Sequence, residues 1–78
     1  MPTAPDPHHP VDARDVIADR VGRLRRRRGW TVEELADATG FDVALILTVE
    51  RGTTVLPVAG LARIATALDV RIEDLVTR

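Results

Sequence analysis

Thr31-Val-Glu-Glu-Leu-Ala-Asp-Ala-Thr-Gly40, followed by Phe41-Asp-Val-Ala-Leu-Ile-Leu-Thr-Val-Glu-Arg-Gly52, is the stretch on which the fold of this chain turns. It reads as two short helices separated by a tight turn at Gly40. Thr31 and Glu34 form a capping box, in which each side chain satisfies the other residue's backbone N–H. Asp42 stands where it can N-cap the second helix, and Gly52 where it can close that helix in a left-handed conformation. Leu35, Ala36, Phe41, Ile46 and Val49 have the spacing of inward-facing positions.

Working outward, a first helix is expected from Asp12 or Ala13 to Arg28, capped by Asp12. Ile17, Val21 and Leu24 should face the core, with Ala13 one turn earlier. Asp15 and Asp19 near its start, and the arginines at its end, suit the helix dipole. Gly29 ends the helix, and Trp30 is expected as an apolar plug between the first and second helices. A fourth helix should begin near Pro57, a favoured first-turn residue, and bury Leu61, Ile64, Ala65 and Leu68. Asp69-Val70 breaks it, and Ile72 to Val76 forms a short fifth helix with Ile72 and Leu75 inward. Residues 1–11 carry four of the five prolines and little that is apolar, so they should be a flexible, extended arm. Residues 12–78 are then one all-α domain, a compact five-helix bundle with no strand.

A chain of 78 residues, 45% hydrophobic and 29% charged, is expected to be one small soluble domain. No apolar run approaches the roughly 18 residues that span a membrane, and the N-terminus lacks the apolar stretch of a secretory signal. Without Cys there is no disulfide frame, and the expected location is the cytoplasm with no membrane partner. Ser, Cys, Lys, Tyr, Asn and Gln are all missing, and both His residues lie in the arm. No nucleophile–base constellation remains, so neither an enzyme nor any catalytic residue is expected. His8-His9 lacks a third ligand, so no metal site or cofactor is expected.

The net charge is −1, but it is unevenly distributed. Arg20, Arg23, Arg25, Arg26, Arg27 and Arg28 follow one another with no acid between them. Glu33, Glu34, Asp37, Asp42 and Glu50 then follow with no base. The chain has a basic collar followed by an acidic pair of helices.

Ile17-Ala-Asp-Arg-Val-Gly-Arg-Leu-Arg25, Gly29-Trp-Thr-Val-Glu-Glu-Leu-Ala36, Gly40, Val49-Glu-Arg-Gly52, Leu61-Ala-Arg-Ile-Ala65-Thr-Ala-Leu68 and Glu73-Asp-Leu75 together resemble the phage-repressor (Xre/Cro-like) helix-turn-helix family. The resemblance runs over residues 14 to 76. It implies a lambda-repressor-like bundle whose third helix, about residues 43–51, enters the major groove of double-stranded DNA, commonly as a homodimer. It also implies a structural ion pair between Arg25 and Glu50. The departures lie where bases would be read. Where the family usually has Gln at the second residue of helix 2, this chain has Val32, next to Thr31. The outward positions of helix 3 read Val43, Ala44, Leu45, Leu47 and Thr48, after Asp42, and only Thr48 carries a hydrogen-bonding group. Arg26, Arg27, Arg28, Arg51, Thr53 and Thr54 are the candidate phosphate contacts.

The primary reading is a DNA-binding transcriptional regulator with weak or atypical base readout. The alternative is an interaction module that has lost base reading and uses Val43, Leu45 and Leu47 as an apolar patch for a protein partner.

Overall fold

The computed structural model describes residues 13–77. The expectations for the arm and for Asp12 as a cap lie outside those residues. Five helices follow in order: α1 (Ala13–Arg27), α2 (Val32–Thr39), α3 (Val43–Glu50), α4 (Val58–Leu68) and α5 (Ile72–Val76). No strand occurs among the described residues. α1 packs on α3 and α5, α2 on α3 and α4, and α4 on α5.

Each helix contributes one fully buried residue to a single core: Val21, Leu35, Ile46, Ile64 and Leu75. Burying each such side chain contributes about 2 kcal/mol. Ala36, Val49, Ala65 and Leu68 complete the buried cluster, with Ile17, Leu24, Trp30, Phe41 and Ile72 half-buried against it. One expectation is corrected. Ala13 is exposed at the open end of α1, and the buried small residues of that helix are Ala18 and Gly22. They lie on the side that meets the end of α3. A Cβ at Gly52 would come within 3.0 Å of Asp15 Oδ1 and 3.6 Å of the Ala18 methyl, so α1 and the α3 terminus approach closely because both surfaces are bare.

The helix ends explain the chain's punctuation. Thr31 caps α2 as read: its hydroxyl accepts the Glu34 N–H at 3.1 Å, and Glu34 accepts the Thr31 N–H at 2.8 Å. Gly40 closes α2 at φ 77°, donating its N–H to the Ala36 carbonyl at 2.8 Å. This is a conformation that side chains make costly. Asp42 occupies the α3 N-cap with extended backbone, but its side chain makes no capping hydrogen bond. At the far end of α3, Gly52 N–H bonds Val49 O at 3.0 Å and Thr53 N–H bonds Thr48 O at 3.1 Å, the paired closure of a helix stopped by a left-handed residue. α4 begins at Val58 with Pro57 at its N-cap. It ends at Asp69, whose φ of 58° is the one positive value among described non-glycine residues.

Candidate nucleic-acid interface

Two devices fix α3 in the bundle. The first is the Arg25–Glu50 pair. Arg25 Nε donates to Glu50 Oε2 at 2.6 Å and Nη2 to Oε1 at 3.0 Å, while Nη1 reaches the Trp30 carbonyl at 2.8 Å. Both side chains are only 13% exposed. A two-pronged charge-assisted contact of this kind is geometrically selective, and it ties α1, the α1–α2 loop and the end of α3 together. Hydrogen bonding to Glu50 raises the Arg25 guanidinium above its ordinary pKa, so its charge is fixed at all working pH values.

The second device locks the turn, and neither of its key residues was singled out from the sequence. The buried Thr39 hydroxyl donates back to the Leu35 carbonyl at 2.9 Å and accepts the Phe41 N–H at 3.3 Å. Arg63 of α4 donates to the Thr39 carbonyl and stacks on the Phe41 ring at 4.3 Å. Its Nη2 lies 2.6 Å from where a Cβ on residue 40 would stand. A Thr directly before the turn glycine was a readable hint. Arg63, a lone arginine in the middle of a helix, gave none.

With α3 held this way, its outward face follows from about 100° of rotation per residue. Ile46 and Val49 are buried, Val43 packs against the core and Glu50 turns to Arg25. Diametrically opposite stand Ala44, Thr48 and Arg51, spaced four and three residues apart. Ala44 and Arg51 are exposed and Thr48 is half-buried, as are Leu45 and Leu47 on the flanks. The Thr48 hydroxyl donates to the Leu45 carbonyl at 2.8 Å.

The basic collar does not form one surface, because successive residues of a helix diverge. Arg23 pairs with Asp19 at 3.2 Å. Arg25 points inward, and Arg26 lies over Gly22 beside Glu50. Arg28 donates to the Leu68 carbonyl at 3.3 Å and stacks on Trp30 at 4.5 Å. Arg26, Arg27 and Arg51 are exposed with no ion pair among the described residues. The start of α2 carries Glu33 and Glu34 in its first turn, which repel an anion there. Thr31 is engaged in its cap and Val32 packs on the core. Beyond α3, Thr53 donates its hydroxyl to the Thr48 carbonyl at 3.2 Å, and Thr54 is half-buried.

The apolar patch expected for a protein partner is narrower than the helix spacing alone implies. Val43 shares a face with Ile46 and joins the core, and Leu45 and Leu47 are half-buried. Among the described residues, the large apolar side chains that do stand in solvent are Val55 (70% exposed), Val58 (69%) and Val76 (44%). They sit before α4, at its first residue and at the last residue of α5.

Comparison with known proteins gives a consistent picture. A family model described as a helix-turn-helix domain matches residues 16–77. The Escherichia coli K12 HTH-type transcriptional regulator SutR is 39% identical over 54 residues, covering 69% of this chain but 30% of that protein. The HTH-type transcriptional regulator y4dJ of Sinorhizobium fredii is 36% identical over 67 residues, covering 86% of this chain and 87% of its own length. The crystal structure of the restriction-modification controller protein C.AhdI from Aeromonas hydrophila superposes with a TM-score of 0.77 at 31% identity, covering 80% of this chain and 94% of that one. The hypothetical transcription factor NHTF from Neisseria gives 0.81 at 31% identity, over 97% of this chain and 85% of that one.

Proposed function

This chain belongs to the helix-turn-helix domain family, and from that membership we propose that it is a DNA-binding transcriptional regulator whose α3 lies in the major groove of duplex DNA. The phage-repressor-type resemblance read from the sequence agrees with the family match and with the controller and regulator structures. The observation that carries the proposal is the α3 face of Ala44, Thr48 and Arg51. It points away from the core and is held rigidly from both ends, by Arg25–Glu50 and by Thr39–Arg63. An α-helix presented in this way fits the width of the major groove.

Arg26, Arg27 and Arg51 are the proposed phosphate contacts, with Thr54 contributing from the loop after α3; Thr53 is left out because its hydroxyl and N–H are both given to the Thr48 carbonyl. Arg28 is left out because the Leu68 carbonyl and the Trp30 ring already hold it. Thr31 and Val32 are proposed to border the groove, Asp42 to lie at its edge, and Leu45 and Leu47 to flank the reading face. We place a homodimer at the apolar residues Val55, Val58 and Val76, which a second copy would cover. Among the described residues no helix is long and apolar enough to cross a membrane, and a cytoplasmic location is the one proposed. No catalytic role is proposed.

The test is a titration of labelled random-sequence duplex, followed by fluorescence anisotropy at rising salt. Backbone neutralisation by arginines predicts affinity that falls steeply between about 50 and 200 mM salt. The absence of any binding at the lowest salt refutes the proposal.

A further inference from the structure

Resting on that DNA-binding reading, we infer that α3 recognises the C5 methyl groups of pyrimidines, thymine and 5-methylcytosine alike, in place of the donor–acceptor patterns of purines. The centre of its outward face is a methyl group, that of exposed Ala44, with the half-buried Leu47 side chain on the flank beside it. Thr48 is the one hydroxyl there. A hydroxyl has a single hydrogen to give, and this one is given to the Leu45 carbonyl at 2.8 Å. Towards DNA, Thr48 therefore presents lone pairs only. The Thr48 carbonyl is itself occupied, accepting both the N–H and the hydroxyl of Thr53. From Val43 to Glu50 the helix thus offers the groove methyl groups and one acceptor, and no side-chain donor precedes Arg51 at the end.

That inventory decides what can be read. Guanine is recognised by donors to O6 and N7, and adenine by a donor and acceptor together. Neither set exists in the middle of this face. Pyrimidine C5 methyl groups in the major groove match Ala44 and Leu47, and the Thr48 oxygen needs an amine. On a thymine–adenine pair the amine is adenine N6; on 5-methylcytosine it is N4, on the same base as the methyl. Both satisfy the face, whereas unmethylated cytosine satisfies only Thr48.

The experiment selects duplexes from a random library with the full chain, then remakes the selected site with uracil for thymine, and with cytosine or 5-methylcytosine at the same positions. Loss of one contacted methyl group should weaken binding about fourfold, and 5-methylcytosine should bind about fourfold tighter than cytosine. Leu47→Ala should bring the thymine-to-uracil ratio towards one while the circular dichroism spectrum stays helical, a readout that a purely structural role does not move. Equal affinities for thymine and uracil duplexes overturn the inference and leave the DNA-binding reading standing. So does a site that depends on guanine N7, shown by 7-deazaguanine, with no methyl effect, because that assigns readout to Arg51. If no duplex is selected at all, the DNA-binding reading falls and the inference falls with it.

Discussion

Glu50→Leu removes both acceptors from Arg25 and leaves its guanidinium in a site where the side chain is 13% exposed. Breaking one partner of a buried pair costs about 3–5 kcal/mol. The remaining exposure and the surviving bond to the Trp30 carbonyl at 2.8 Å place the expected loss at the lower end, about 3 kcal/mol. For a domain of this size that lowers the melting temperature by about 12–24 °C. Arg25→Met should cost a similar amount, since it strands the carboxylate and frees the Trp30 carbonyl. The double variant replaces the pair with apolar side chains of comparable volume and should return to within about 1 kcal/mol of the parent. Thermal and urea denaturation of all four proteins, followed by circular dichroism, closes the cycle. Additive single losses, or a double variant less stable than either single, would refute the claim that the two charges act on each other across the α1–α3 contact.

Gly40→Ala should destabilise by about 1–2 kcal/mol through its positive φ. It should exceed Gly29→Ala, which has a similar φ of 72° but open space around it, because only at residue 40 must Arg63 be displaced; urea midpoints compare the two. Val58→Asp should shift a dimer to monomer in sedimentation velocity with little change in the melt, since the residue is 69% exposed in the single chain; an unchanged sedimentation coefficient for a parent dimer puts the interface elsewhere. Arg51→Ala should reduce the slope of log affinity against log salt by about 1 while leaving site preference intact, read by anisotropy.

The helical scaffold was legible because its signals are local. The Thr31–Glu34 box, Gly40, Gly52 and the apolar stripes each act within a few residues, and each appears where the spacing puts it. What escaped the sequence acts across elements. The turn lock depends on Arg63, 24 residues from Thr39, and no pattern along α4 marks it. The arginine run reads as one basic block in one dimension, yet the helix rotation sends Arg25 to Glu50 and Arg28 to Leu68. Val43 reads with the outward positions yet packs against the core, because it lies on the boundary between the two faces. Ala18 and Gly22 are small enough that burial depends on the partner surface more than on their own apolarity.

The central claim is that the exposed face of α3 enters the groove, and Ala44 stands at the middle of that face. Ala44→Glu places a carboxylate against the phosphate-lined groove without touching the core, so the melt should change by no more than about 0.5 kcal/mol. An anisotropy titration of the selected duplex is predicted to show at least a tenfold loss of affinity for this variant. Binding at full strength would contradict the account and place the DNA on another surface of the bundle.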